Sequence, residues 1–344
     1  MKKTLLRFLL LLPLTATAQQ SPLLDLRLQV RGDYQREYVS GEAVKDNCGF
    51  KGKFLNLLIS GEVGKHFSYA YRQRLNRISK SSEFFDATDW LYLQYKPTPR
   101  WTFAAGKQIV AIGGFEYDRA PIDLYFCSEY WNNIACYQWG ASAAFGLRGG
   151  RDELIAQFCQ SPFRASGEDT YAYNLMWRGV HGPYSALCSV NMLEYAQGKF
   201  LSYIAIGQAV QLGAVRLEFD IMNRATAKQA FLLRDCTLVG EAACRPAKWL
   251  NVYAKASYDV NRAHHEGDRC VQPGTELTRI GGGLEYYPLQ DERIRLHANY
   301  SYTFGKNTNT DGVLRPRQSL FDIGLTWKAD LLHLKKKTAK PHHD

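Results

Sequence analysis

The sequence predicts an all-β protein, a transmembrane antiparallel β-barrel of about sixteen strands whose long third outer loop folds into the lumen. Three observations predict it. Apolar and polar residues alternate with period two in one segment after another. The connections between those segments are short and long in turn. After residue 18 no apolar stretch is long enough for a membrane-spanning helix.

The chain begins MKKTLLRFLLLLPLTATAQQ, with a basic start (Lys2, Lys3, Arg7), an apolar run from Leu5 to Leu14, and small residues at Ala16 and Ala18. That is the pattern of a cleaved secretory signal peptide over 1–18, and its apolar run is too short to span a bilayer. An exported chain without spanning helices is either soluble outside the cytoplasm or a β-barrel. The formal charge is +10 over 344 residues, about +7 once the leader is removed. Lysines and arginines are spread through the alternating segments rather than gathered on one face, which argues against a nucleic-acid partner. Eight cysteines without a CxxC pair fit neither a disulfide scaffold nor a zinc pattern.

Residues 24–35 alternate without a fault, with Leu24, Leu26, Leu28, Val30, Gly32 and Tyr34 on one side and only polar residues on the other. A strand of that length fits a tilted membrane strand as well as a sandwich. Later strands decide between the two. Tyr171, Tyr173, Leu175 and Trp177 alternate with Ala172, Asn174, Met176 and Arg178, and Val215, Leu217, Phe219 and Ile221 with Arg216, Glu218 and Asp220. Ile294, Leu296, Ala298, Tyr300, Tyr302 and Phe304 alternate with Arg293, Arg295, His297, Asn299, Ser301 and Thr303. Phe321, Ile323, Leu325 and Trp327 form a last apolar row. Long strands with one apolar face and aromatic ends suit lipid outside and water inside.

Short connections fall at 64–66, 96–100, 149–152, 180–183, 212–213, 245–248 and 289–292. Long or polar ones fall at 36–49, 76–87, 108–137, 161–169, 194–198, 225–229, 261–275 and 305–318. These fifteen connections imply sixteen strands with both termini on the periplasmic side. The barrel then occupies 19–328, followed by a basic periplasmic tail over 329–344. The segment 229–243 alternates poorly but is needed for the count.

The third outer connection is the longest, and eight Tyr, Trp and Phe residues over 105–140 argue for order rather than disorder. Its charges, Lys107, Glu116, Asp118, Arg119, Asp123 and Glu129, are candidates for a pore constriction. By the same alternation Arg27, Arg31, Arg72, Arg74, Arg216, Lys255, Arg279, Arg293 and Arg295 point into the lumen, against Asp25, Asp33, Glu218, Asp220, Asp259, Glu285 and Asp322. Rows of arginine lining a water-filled pore lower the barrier to anions. Equally, those arginines can pair with loop acids and hold the loop to the wall.

Cys127 and Cys136 lie in the same loop, and Cys48 and Cys270 in two others, so these thiols are able to pair in an oxidising compartment. Cys188 sits on an apolar strand face and reads as a small hydrophobe. No cofactor site, nucleotide motif or catalytic constellation stands out. His297 has only Asn299 and Ser301 beside it on its strand face. His264 and His265, next to Glu266 and Asp268, and the tail pair His342 and His343 read as solvated side chains in preference to metal ligands. A barrel hydrolase acting on lipids or peptides would need a Ser or Asp within reach of a His at the rim. A receptor or saccharide channel would use the loop aromatics Phe115, Tyr117, Tyr125, Phe126, Tyr130, Trp131 and Tyr137 for stacking, whereas packing onto the wall serves the same residues equally well.

Residues 89–96 (DWLYLQYK), 105–108 (AGKQ), 113–117 (GGFEY), 120–125 (APIDLY), 251–259 (NVYAKASYD) and 284–289 (LEYYPL) resemble the phosphate-selective porin O/P family, in the branch common in Bacteroidetes. The resemblance covers nearly the whole exported chain. It implies an outer-membrane homotrimer in contact with lipid, each barrel passing small hydrophilic solutes by diffusion, with a preference for anions, phosphate among them. The acidic excess in the third loop and the tail after Trp327 depart from the family's pattern. A saccharide-preferring or general porin is the alternative.

Overall fold

Alternation becomes a wall because each strand buries its polar face and exposes its apolar one. In the computed structural model, which describes residues 23–78, 84–164, 169–225, 234–263 and 267–335, Tyr173 and Leu175 are 50% and 56% exposed while Asn174 between them is 4% exposed. A soluble sandwich would bury the apolar row instead. The inversion matches lipid on the outside.

The strands are β1 (Leu24–Val39), β2 (Gly49–Val63), β3 (Phe67–Arg74), β4 (Thr88–Tyr95) and β5 (Trp101–Ile109). They continue as β6 (Tyr137–Leu147), β7 (Asp152–Gln160), β8 (Tyr171–His181), β9 (Tyr184–Ala196) and β10 (Lys199–Leu212). Last come β11 (Val215–Ala225), β12 (Asp235–Ala247), β13 (Leu250–Asn261), β14 (Glu276–Tyr286), β15 (Ile294–Lys306) and β16 (Gln318–Leu334). Each pairs antiparallel with its sequence neighbour, and β1 closes the sheet on β16 from Val39 opposite Gln318 to Leu24 opposite Leu334. Closure leaves no open edge, which a spanning sheet requires. A two-residue strand, Glu42–Ala43, folds back on β1 within the first long connection.

Two expectations about boundaries change. The last strand does not stop before a tail at 329 but runs to Leu334, because after a bulge opposite Leu26 and Arg27 the apolar rows resume, Leu332 facing Leu26 and Leu334 facing Leu24. Residues 336–344 and the leader 1–18 lie outside the described residues, as do His264, His265, Glu266, His342 and His343. The weakly alternating 229–243 yields β12, displaced towards the C-terminus. Its outward positions Leu238, Gly240 and Ala242 are too small a set of apolar side chains to mark a lipid face, yet its pairing with β11 and β13 is unbroken through Cys244.

Candidate channel interior

The chain leaves β5 at Ile109 and re-enters the wall at Tyr137. Val110 N–H donating to the Cys136 carbonyl (2.8 Å) closes the base of the excursion. Its first turn is pressed against the wall. Ala111 N–H donates to Gln157 Oε1 (2.7 Å), Gly113 N–H to Ser189 Oγ (2.8 Å) and Gly114 N–H to the Leu187 carbonyl (3.1 Å). A side chain at Gly113 would bring its Cβ to 2.5 Å from that carbonyl, and Gly114 has φ of 106°. Glycine is required at both: one for close approach, one for its backbone.

Two one-turn helices follow, α1 (Phe115–Asp118) and α2 (Glu129–Asn133). Helices this short leave their first N–H groups without partners in the chain. The wall supplies those partners. Asp220 on β11 accepts from Phe115 and Glu116 N–H (both 2.8 Å), and Asp259 on β13 accepts from Glu129 and Tyr130 N–H (2.8 and 3.2 Å). Between the helices the carbonyls of Leu124, Phe126 and Cys127 accept from Arg31 (2.6 Å), Lys255 (3.1 Å) and Arg279 (3.3 Å). The contacts of 110–136 therefore reach β1 and β7–β15, far around the barrel wall.

Every charge of the segment except Glu129 is matched by an opposite charge. Arg119 forks between Glu218 on β11 (2.6 Å) and Glu241 on β12 (2.7 Å). Burial opposes its charge, and the two carboxylates more than restore it, holding the guanidinium above its ordinary pKa. Glu116 pairs with Lys255 (2.7 Å), Asp123 with Arg295 (2.8 Å) and Asp118 with Arg178 of β8 (3.0 Å). Glu129 is fully buried, receives amide N–H bonds from Asn133 (2.8 Å) and Asn309 (3.3 Å), and burial pushes its carboxyl above the usual range. The apolar side chains of the same segment, Val110, Ile112, Tyr117, Tyr130 and Ile134, pack into one cluster with Leu193, Leu201 and Tyr203 from β9 and β10 and with Cys270 and Val271.

The expected pore-lining cations sit in several environments. Arg31 pairs with Asp33 (2.7 Å), and Arg72 and Arg74 share Asp89 on the neighbouring β4 (2.6 and 2.8 Å). Arg216 pairs with Glu218 (2.6 Å), and Arg295 with Glu285 (3.3 Å) as well as Asp123. Arg279 donates to Ser301 Oγ (3.0 Å) and makes no ion pair among the described residues. Arg27 sits half-exposed at the rim between Asp25 and Asp330. Arg293 is not on a lumenal strand face; it precedes β15 in an exposed turn and pairs with Asp291 (2.8 Å). Lys107 is not on the excursion but on β5, where its ammonium donates to the Phe85 carbonyl (2.6 Å) of the preceding long connection.

Cys127 and Cys136 are both free thiols, not a disulfide. Helix α2 stands between them. Cys127 lies under Lys255 and Arg279 on one side of it, and Cys136 near Tyr117 on the other, donating weakly to the Ile134 carbonyl (3.5 Å). Burial pushes each thiol up to about 12, so neither is a ready thiolate. Cys48 and Cys270 are likewise unpaired. Sequence reasoning missed Glu241 as an anchor and Asp89 as the partner of Arg72 and Arg74, and it placed Asp220 and Asp259 inward without their capping role. The one available signal was an isolated acid on the polar row of an otherwise alternating strand.

The sequence profile for phosphate-selective porin O and P matches residues 24–186, which is β1 through β8 and the start of β9. No curated protein matches the sequence. Among solved structures the fold is similar to an anion-selective porin from Comamonas acidovorans, at 10% identity and a TM-score of 0.64, with 89% of this chain and 99% of that one aligned. The outer membrane channel DcaP of Acinetobacter baumannii aligns at 12% identity and 0.62, covering 89% and 97%. A trimer form of OmpT from Vibrio cholerae aligns at 13% identity and 0.59, covering 89% and 99%.

Proposed function

We propose that this chain, whose residues 24–186 match the profile for phosphate-selective porin O and P, is an outer-membrane porin in which the 110–136 segment stands inside the barrel as the constriction. Small hydrophilic solutes would diffuse through the space it leaves, without cofactor or energy source, in each barrel of a homotrimer. The observation that carries this reading is the span of the segment's anchors. Contacts with β1, β9 and β11–β15 on their polar faces are reached most directly from within the barrel.

A modest preference for anions is part of the reading. It rests on the cations that retain positive excess, Arg72, Arg74 and Lys107 around the two acids Asp86 and Asp89, together with Arg279. Most other wall cations are neutralised, and screening over about 8 Å at physiological ionic strength weakens the remainder. Exclusive selection of phosphate is therefore not part of it. The profile match and the barrel fold support a channel rather than an enzyme as the reading.

The test is single-channel conductance and zero-current potential in a planar bilayer across a potassium chloride gradient, repeated with phosphate. Steady conductance with a small anion-directed potential is expected. A closed membrane overturns the channel reading, and a cation-directed potential overturns the anion preference alone.

A further inference from the structure

At the seam where the barrel closes, three side chains that do not hold the 110–136 segment by ion pairs converge: Asp33 of β1, His297 of β15 and Asp322 of β16. Their meeting is set by register. Asp33 and His297 both lie opposite Gly324 of β16, one from each neighbouring strand, and Asp322 precedes that glycine by one position on the same face. Because Gly324 has no side chain, the two flanking groups close over it. A Cβ there would stand 2.2 Å from Asp33 Oδ1 and 2.6 Å from His297 Nε2.

His297 has a side chain 0% exposed, and neither ring nitrogen makes a well-directed hydrogen bond. Nε2 nevertheless lies 3.1 Å from Asp33 Oδ1 and 3.5 Å from Asp322 Oδ1, and one ligand atom from each of the three residues lies within 4.8 Å of the others. Four ligands on zinc-like bonds of about 2.0–2.2 Å stand roughly 3.3–3.6 Å apart, so the spacing suits a common ion better than a hydrogen bond that the angles do not support. Arg31 already binds Asp33 (2.7 Å) and lies 3.9 Å from Asp322, whose Oδ1 also accepts from Asn299 (3.0 Å). Counting Lys53, Arg279 and Glu37, whose charges also act here, three cations face three carboxylates, so with a neutral imidazole the surroundings carry no net charge against a cation.

We propose that Asp33, His297 and Asp322 form a binding site for a divalent transition-metal ion of the zinc class, with His297 Nε2 and two carboxylate oxygens as ligands and water in the fourth position. One imidazole with two carboxylates favours zinc, cobalt or nickel over calcium or magnesium, which take oxygen donors. The ring of Tyr125 lies 4.4 Å from that of His297, so a bound ion would fix the surface on which this part of the 110–136 segment rests.

The test uses the full chain in detergent micelles, with His264, His265, His342 and His343 replaced by alanine so that they do not compete. Cobalt(II) is titrated and followed by its visible absorption, with zinc as competitor. One equivalent bound with the intensity of a four-coordinate nitrogen and oxygen site, and no sulfur-to-cobalt band, is expected. Asp322→Asn and His297→Gln should each weaken binding about tenfold or more, and Gly324→Ala, whose Cβ would push Asp33 and His297 apart, should abolish it with all three ligand residues unchanged. Absence of a stoichiometric cobalt signal overturns the proposal. So does unchanged binding in H297Q or D322N that retains the heat-modifiable migration of a folded barrel. Binding is read without conductance, so a negative result leaves the channel reading standing.

Discussion

The two sides of the barrel wall use the same kind of residue in different ways. On the β3–β5 side, Arg72 and Arg74 are answered by Asp89, a carboxylate of that wall, and nothing else need arrive for the charges to balance. On the β11–β15 side the wall is incomplete alone. Among the described residues Glu241 has only Arg119 of the 110–136 segment as its ion-pair partner, Lys255 finds its acid in Glu116, and Arg295 shares Asp123. The first side keeps its electrostatic character whatever the segment does, whereas the second holds the segment in place and loses its own net charge in doing so. Counting cations along strands cannot distinguish a lining from an anchor.

The widest gap between the two sides should open at Arg119. Arg119→Ala leaves Glu241 without an ion-pair partner among the described residues, since Lys255 opposite it is held by Glu116, while Glu218 keeps Arg216. Breaking a mostly buried pair by removing one partner costs roughly 3 kcal/mol at the lower end of its range, and Arg119 is partly exposed, so about 2 kcal/mol is expected. The denaturation midpoint should fall, and single-channel conductance should rise and become noisier as the segment loosens. Arg119→Lys, which keeps the charge but loses the fork, should recover part of both. If conductance is unchanged in R119A, the anchoring role assigned to the β11–β15 side is wrong.

Arg74→Ala probes the other side and should do much less to stability. Arg72 remains on Asp89, and the expected loss is about 1 kcal/mol or less, as for a pair whose partner stays satisfied. Its effect should appear instead in selectivity, as a shift of the zero-current potential towards cations with little change in conductance. A large drop in the denaturation midpoint would erase the distinction between lining and anchor.

Much of the barrel was legible in the sequence because period-two alternation reports burial directly. The rows of β1, β8 and β15 state which side chains meet lipid. β12 was hard to read for a physical reason, since glycine and alanine on its outward side and Val239 on its inward side blur the contrast. The site was legible only in parity. Alternation places Glu218 and His297 on inward faces, but Glu218 meets Glu241 through the β11–β12 pairing, and His297 meets Asp33 through Gly324. Those are relations across strands, which spacing along one strand does not carry. Lys107 and Arg293 were misplaced because a strand's end was assigned about two residues from where its hydrogen bonds stop and start.

Glu129 gives the smallest and most selective test of the comparison. It belongs to the segment, yet no ion pair ties it to either side; Asn133 and Asn309 hold it, its own N–H is taken by Asp259, and Arg279 is the cation nearest in effect. Burial raises its carboxyl in the folded state above the unfolded value, so the folded chain favours the protonated form. The resulting stability is fully present below the unfolded pKa of about 4.3 and is lost as pH rises through the raised folded value. The denaturation midpoint of the natural sequence should therefore carry a downward component across that window. Glu129→Gln, which keeps the shape and the amide contacts and removes the titration, should remove that component and leave R119A's loss unchanged. If the slope persists in E129Q, the titrating group belongs to the wall, and the segment's far half is held by charge after all.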